Sequence, residues 1–319
     1  MLTQFFHKAA LATVIVTGLA SVAVAQEVTI IAPAGPGSGY DQVARSVETV
    51  LRSQGLATEI QVVNAPGGTG LVGLAQFAAK HSADPNALLV SGFGMVSAGQ
   101  LSKAAVTLAD VTPAARLLGE YQAFAVAASS PIKSGQDLVA ALKADPGKVT
   151  FAGGGVGASD HVAAGLFLKA LGVEPVKLNF VAFTGGGEVV AAVLGGHVSV
   201  GVSGSAEFEA LARSGELRII GVTSEERLPG LDAPTFVEQG VDFHFQNWRM
   251  LAIGAKLGDE EKVAALERIE NLAQSEAWAK EVETRGWQST YLAGDDLTAF
   301  IESQTREVGA LLTDIGLVK

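Results

Sequence analysis

Residues 33–45, PAGPGSGYDQVAR, determine how the first part of this chain folds. The apolar run at 28–32 before them predicts a strand, and the valines spaced three or four apart after Asp41 predict a helix. The loop between is rich in Gly and Pro, and Gly37 and Gly39 carry no Cβ to keep a ligand from the backbone. Helix starts leave N–H groups unpaired, which attract a carboxylate or phosphate. We therefore expect an anion-binding loop, with a plain turn capped by Asp41 as the alternative.

The same strand, small-residue loop and helix start recur along the chain, with loops at 64–70, 92–95, 153–161, 183–187 and 203–207. Alternation of strands and helices predicts parallel sheets that bind ligands at the carboxyl ends of their strands. The loops fall into two groups, before about residue 118 and after about residue 149, so we expect two α/β lobes. Strands are predicted at 28–32, 60–64, 88–91, 111–118, 123–128, 149–152, 178–181, 198–202, 217–222 and 248–253, followed only by helices at 260–273, 276–285 and 297–312.

The first 25 residues are typical of a secretory signal peptide. Lys8 precedes an apolar run that ends in Ala23-Val24-Ala25, and the run is short for a membrane anchor. We expect cleavage after Ala25 and a periplasmic location. The chain has no cysteine, which excludes disulfides and a lipid anchor on cysteine.

With 319 residues, the chain is long enough for two domains besides the signal peptide. We predict lobe one at 26–122, lobe two at 123–246, and a return of 247–319 to lobe one. The formal charge of −11 argues against nucleic acid and anionic membranes as partners. It does not exclude an acidic small molecule, because helix starts act at short range.

Motifs for catalysis, nucleotides and metals are missing. The loop at 35–39 lacks the full dinucleotide spacing, and no P-loop or G-x-S-x-G occurs. Ser159, Asp160 and His161 are adjacent, so they point in different directions and cannot form a relay with one another. The histidines lack metal-ligand spacing and no cysteine supports them. We expect no catalysis, no cofactor and no metal.

The sequence resembles the extracytoplasmic solute receptors of tripartite tricarboxylate transporters, the Bug receptors, over nearly the whole mature chain. The motifs that carry the resemblance are PAGPGSGYDQVAR at 33–45, NAPGGTGLVGLAQF at 64–77, PIKSGQDLVAALKADPGKVTFAGGGVGASDH at 131–161, FTGGGEVVAAVLGGHVSVGVSG at 183–204, LRIIGVTSEERLPGLDAPTFVEQGVDF at 217–243 and NWR at 247–249. The segments GGGEVVAAVLGG and NWR are most similar to the tricarboxylate-receptor branch.

This resemblance implies a two-lobed periplasmic-binding-protein fold of type II (Venus flytrap), with the ligand cleft between the lobes. It also implies delivery of a carboxylate to a permease with a large and a small subunit. Loops of both lobes would hold the ligand, and we expect the receptor to be a monomer. The candidate ligand-binding residues are Gly37, Ser38, Gly39, Tyr40, Asp41, Gly68, Thr69, Phe93, Met95, Ser159, Asp160, His161, Thr184, Gly185, Gly186, Ser203, Glu207 and Arg249.

Two positions affect the choice of ligand. Amino-acid-binding members of the family carry Asp where this chain has Ser203, so the hydroxyl favours a di- or tricarboxylate, citrate-like at first choice. Arg249 either contacts the ligand or forms a salt bridge between the lobes, and Trp248 beside it is a core residue by expectation. Two alternatives stay open, a ligand-binding module for a sensor kinase and an exported α/β enzyme.

Overall fold

The structure is a computed structural model that describes residues 27–318. The predicted signal peptide and its cleavage site lie outside these residues. Within 27–318, no helix is both long and apolar enough to cross a membrane.

The chain starts with three parallel strands, each followed by a helix. The helix α1 begins where Ser38 accepts a hydrogen bond from the Asp41 N–H (3.3 Å), and it buries Val43, Val47 and Val50 against the sheet. The register of β1 with β2 runs from Glu27–Glu59 to Ala32–Asn64. The elements of this part are β1 (Glu27–Ala32), α1 (Gly39–Ser53), β2 (Glu59–Asn64), α2 (Leu71–Lys80), β3 (Ala87–Gly92) and α3 (Phe93–Ser102).

A single 17-residue strand, β4 (Val111–Ala127), follows where the sequence predicted two strands. The predicted break between 118 and 123 was wrong, because the backbone of 119–122 is paired with neighbouring strands throughout. Gly119 lies opposite Trp248 and Gln288, and Gln122 lies opposite Gly204. The first half of β4 thus belongs to one sheet and its second half to another.

The second sheet again alternates strands with helices. Its helix α4 begins after Ser134, whose hydroxyl caps it by accepting a hydrogen bond from the Asp137 N–H (3.1 Å). The elements are α4 (Gly135–Ala144), β5 (Thr150–Gly153), α5 (Ser159–Ala170), β6 (Asn179–Ala182), α6 (Gly186–Leu194), β7 (Val200–Gly204), α7 (Ser205–Arg213) and β8 (Leu217–Val222).

The chain then returns to the first sheet through β9, which lies antiparallel between β3 and β4. The strand order is β2-β1-β3-β9-β4-β7-β5-β6, and β8 and β10 also pair with β4. The last elements are β9 (Gln246–Gly254), α8 (Asp259–Ala273), α9 (Glu276–Thr284), β10 (Gln288–Ala293) and α10 (Gly294–Asp314).

The prediction of an all-helical chain after 253 was wrong, because β10 is a strand. Its sequence, QSTYLA, is mostly polar and lacks a clear alternation. The backbone is extended because β4 offers it antiparallel partners, Gln288 opposite Gly119 and Ala293 opposite Ala115. This partner lies more than 150 residues away in sequence, and local patterning does not reveal it.

Phe124, on the second half of β4, is the centre of an aromatic core. Its ring is fully buried and lies 4.9–6.4 Å, between ring centroids, from the rings of Phe151, Phe167, Phe236 and Phe243. Such edge-on arrangements add to the apolar burial. The cluster packs β4 against α5 and against the segment that leads into β9.

We expect Phe124→Ala to lower the free energy of unfolding by about 3–5 kcal/mol, because it leaves a cavity among four rings. Urea unfolding followed by circular dichroism measures the change. The control is Val237→Ala, at a side chain that is 41 % exposed, which should change stability by less than about 1 kcal/mol. Equal losses in the two variants would contradict the central role of Phe124.

Candidate functional site

A cavity of about 130 Å³ lies between the two sheets, at the carboxyl ends of their parallel strands. The first turns of α1, α3, α5, α6 and α7 point into it, so unpaired backbone N–H groups converge there. Its lining comprises Pro33, Ala34, Ser38, Gly39, Tyr40, Gly67, Gly68, Thr69, Gly70, Gly94, Gly154, Gly155, Ala158, Ser159, Asp160, Phe183, Thr184, Gly185, Gly186, Val189, Ser203, Glu207 and Arg249.

Asp41 organises the first loop from behind. One of its carboxylate oxygens accepts hydrogen bonds from the Gly37 N–H and from Arg45 Nε (2.9 Å each), and the other accepts from Asn64 Nδ2 (2.9 Å). Burial opposes ionisation here, but the bonds from Arg45, Gly37 and Asn64 together hold the pKa of Asp41 below its ordinary value. The negative charge of Asp41 is therefore balanced by Arg45 and by the hydrogen bonds from Gly37 and Asn64.

Arg249 projects from β9 into the cavity and is almost completely buried. Its guanidinium lies 2.6 Å from the Glu120 carboxylate of β4 and 4.3 Å above the ring of Tyr40. Asn247 Nδ2 donates a second hydrogen bond to the same Glu120 oxygen (2.8 Å). The ion pair joins the neighbouring strands β4 and β9, so this salt bridge does not cross the cleft. Arg249 therefore lines the cavity and is also ion-paired within its own sheet.

Gly39 is the residue that lets α1 start against this ion pair. A Cβ placed on Gly39 would lie 2.5 Å from Arg249 Nη2 and 3.3 Å from Glu207 Oε1. The start of α1 therefore packs directly against Arg249 and Glu207, and any side chain at position 39 would occupy the space of the Arg249 guanidinium.

On the opposite wall, α5 starts with Ser159, Asp160 and His161, whose side chains diverge. Asp160 lines the cavity and accepts hydrogen bonds from the Gly154 N–H (2.7 Å) and from the Ser159 hydroxyl (3.2 Å). His161 points away, accepts from the Gly157 N–H at Nδ1 (3.2 Å) and stacks on Phe180. Burial lowers the pKa of His161 to about 4, so its imidazole is neutral near pH 7.

Two carboxyl groups, the buried Asp160 and the half-buried Glu207, share the wall of the second sheet. Burial raises the pKa of Asp160 to about 6. The pKa of Glu207 lies well above its ordinary value, first because of burial and then because Asp160 and Glu120 are negative neighbours. Of the residues 27–318, no three His, Asp or Glu side chains are arranged to hold a metal ion.

The two walls touch each other across the mouth of the cavity. The Gly35 N–H donates to the Thr184 carbonyl (3.1 Å), and the Thr69 hydroxyl donates to the Val156 carbonyl (3.1 Å). Thr69 holds a left-handed backbone conformation (φ 54°), flanked by glycines that also have positive φ. The structure is thus in a closed arrangement.

Comparison with known proteins identifies the family. The family model described as "Tripartite tricarboxylate transporter family receptor" matches residues 43–317. The chain belongs to this family. It is also similar to BugT of Bordetella pertussis, with 27 % identity over 303 residues, which cover 92 % of this chain and 90 % of BugT.

Solved structures show the same fold. The periplasmic binding protein BugD has a TM-score of 0.80 at 19 % identity, over 91 % of this chain and 98 % of BugD. Rpa4515 of R. palustris, solved with adipate, has a TM-score of 0.81 at 21 % identity, over 91 % of this chain and 97 % of Rpa4515. MatC of Rhodopseudomonas palustris, solved with malate, has a TM-score of 0.77 at 19 % identity, over 90 % of this chain and 98 % of MatC. The predicted family and the predicted two-lobed periplasmic-binding-protein fold are both confirmed.

In this receptor, most of the candidate residues named from sequence come together at the cavity. Those that line it are Ser38, Gly39, Tyr40, Gly68, Thr69, Ser159, Asp160, Thr184, Gly185, Gly186, Ser203, Glu207 and Arg249. Asp41, Phe93, Met95 and His161 are buried behind this lining, and Gly37 is exposed outside it. Phe93 and Met95 flank Gly94 on the first turn of α3, where only the glycine reaches the cavity.

Sequence reasoning missed Glu120 and Asn247, which support Arg249 from below, and the lining residues Phe183 and Val189. Glu120 lies between the two strands that were predicted at 111–118 and 123–128. It reaches Arg249 because β4 pairs with β9, with Glu120 opposite Asn247, and the sequence does not reveal this pairing.

We expect Gly39→Ala to displace Arg249 and to weaken ligand binding at least tenfold, because the new methyl group would collide with the guanidinium. The matched control is Gly187→Ala, at a helix start on the opposite wall where a Cβ meets no atom within 4 Å. Calorimetry measures affinity, and circular dichroism checks the fold. Wild-type affinity in a folded Gly39→Ala protein would contradict the role of this close contact.

Proposed function

We propose that this receptor captures a small di- or tricarboxylate in the periplasm and delivers it to a tripartite transporter permease with a large and a small subunit. The observation that carries the proposal is the cavity itself, enclosed by five helix starts from two sheets. Helix starts bind carboxylates through their free N–H groups and their dipole. Closure of two lobes around the ligand would replace its hydration shell.

The size of the cavity favours the smaller members of this ligand class. A cavity of about 150 Å³ accommodates a benzene ring, and the cavity here has about 130 Å³. Two structural neighbours were solved with the dicarboxylates adipate and malate. We therefore place short dicarboxylates beside the citrate-like ligand that the sequence suggested.

We propose binding without catalysis. His161, next to Asp160 of the cavity lining, has its Nδ1 occupied by the Gly157 N–H and faces Phe180. It cannot take a proton from a serine in the lining in this arrangement.

The proposed lobes are residues 26–122 together with 247–319, and residues 123–246. The change of pairing partners along β4 supports this division, because Tyr121 still pairs with β9 whereas Gln122 pairs with β7. β4 passes from one lobe into the other, so we infer that it carries the hinge.

We expect dicarboxylates to stabilise the purified mature protein in a thermal-shift screen of malate, succinate, adipate and citrate. At a concentration about 100 times Kd, a ligand adds about 2.7 kcal/mol to the unfolding free energy. The control is the amide analogue of each hit, which lacks the anchoring charge and should lose most of the shift. A receptor that responds to none of these acids, or equally to acid and amide, would contradict the proposal.

We also expect the protein recovered from the periplasm to begin at Gln26. The reason is the Ala-Val-Ala sequence before that residue, which fits signal peptidase. N-terminal sequencing of periplasmic and membrane fractions measures this, with Ala25→Arg as the matched variant that should block cleavage. An intact Met1 on the wild-type protein would show that the signal-peptide prediction is wrong.

A further inference from the structure

We propose that Asp160 and Glu207, the carboxyl pair of the cavity wall, take up a proton when a polycarboxylate enters and donate a hydrogen bond to it. This inference rests on the proposed function and deepens it, because it assigns the protonation state in which the ligand is held.

The charges around the cavity do not balance without such a proton. The single buried cation of the lining, Arg249, is already matched by Glu120 at 2.6 Å. Asp160 and Glu207 then face the same space with no cation of their own among the described lining residues. A carboxylate ligand would add further negative charge inside a buried site, where unpaired charges are costly. Protonation of the pair removes this conflict and creates a donor for the ligand.

The groups that face the pair act on its protonation in both directions, and burial is the largest effect. Burial is the main cause that favours the neutral form of each carboxyl group, and Glu120 acts in the same direction. Arg249 acts in the opposite direction on both, as does the Ser203 hydroxyl on Glu207. Asp160 is also held by the Gly154 N–H and the Ser159 hydroxyl, which favour its ionised form. The pKa of Asp160 nevertheless remains raised, to about 6, because burial outweighs these two hydrogen bonds.

The remaining titratable groups nearby do not supply the missing charge. His161 is neutral near pH 7 because burial lowers its pKa to about 4, and it faces Phe180. Tyr40 is neutral because burial raises its pKa. The carboxylate of Asp41 is paired with Arg45 and accepts a hydrogen bond from the Gly37 N–H in the loop behind the cavity. The helix dipoles at the starts of α5 and α7 favour ionised carboxylates, but here the effect of burial is larger.

An amino acid would use the same pair differently. Its ammonium group would neutralise the ionised pair directly, and no proton would be taken up on binding. The two ligand classes therefore differ in proton linkage even if both enter the cavity, so proton uptake identifies the class.

The direction of the pH effect follows from the raised pKa of Asp160, about 6. Below this pKa the free receptor already holds the proton, and binding of an ionised acid requires no further uptake. Above it the pair must be protonated when the ligand enters, so affinity falls as pH rises. For one proton the limit is about tenfold in Kd per pH unit.

The test uses the mature receptor with malate as probe, in the presence of a chelator, from pH 6.5 to 8.5. Isothermal titration in two buffers with different ionisation enthalpies gives the number of protons taken up. We expect uptake that approaches one proton per malate above about pH 7, with Kd rising by up to about tenfold per pH unit. Aspartate is the comparison probe, and any binding of it should occur without uptake.

Two variants test which carboxyl group takes up the proton. Asp160→Asn and Glu207→Gln each replace one carboxyl group by a neutral amide that can still donate a hydrogen bond. We expect each variant to bind malate with reduced proton uptake and a flatter pH profile. The control is Glu209→Gln on the same helix as Glu207, where the carboxylate pairs with Arg213 at the surface, and its profile should match the wild type.

The outcomes are distinct. Malate binding with no proton uptake and a flat profile, an unchanged profile in both amide variants, or dependence on an added cation in place of pH would each overturn the carboxyl pair. Failure of every acid to bind at any pH would overturn the proposed function and this inference with it. Because the two amide variants are independent, misfolding of one leaves the other to decide.

Discussion

The ion pair between Arg249 and Glu120 is the interaction on which the rest of the site depends. It forms where β9 returns to lie beside β4, so it exists only once the last third of the chain has joined the first sheet. Removing one partner from a buried pair leaves an uncompensated charge, at a cost of about 3–5 kcal/mol. The pair thus fixes the floor of the cavity, and the helix starts are arranged above it.

The walls depend on a different constraint, the ordering of the loops that precede the helix starts. Asp41 orders the first loop by accepting a hydrogen bond from the Gly37 N–H, and Asp160 orders the loop before α5 by accepting one from the Gly154 N–H. Asp41 is tied to Arg45 and is held in its ionised form. Asp160 has no such ion-pair partner among the described residues, and it faces the cavity. The two aspartates occupy similar loops, but Asp41 is an ionised structural residue and Asp160 is a titratable group of the site.

The strand–loop–helix pattern of 33–45 was predictable because its signals are local: an apolar run, glycines and helical spacing. The cap of α1 is Ser38, whereas the sequence suggested Asp41. The break predicted within β4 and the missed strand β10 have the opposite origin. Both segments are polar, and both are extended because distant strands pair with them. Most of the candidate residues could be named from loops and family motifs, whereas Glu120 could not.

The sequence by itself determined the α/β class, the recurring anion-binding loops and the family, because these depend on short-range patterns and on motifs that survive in the chain. Only the tertiary structure decided which side chains share the cavity. It placed His161 behind the wall and Asp160 in it, although the two are neighbours, since adjacent residues on a helix point in different directions. It also decided the charge balance, because burial and pairing act over distances in space that the order of residues does not record.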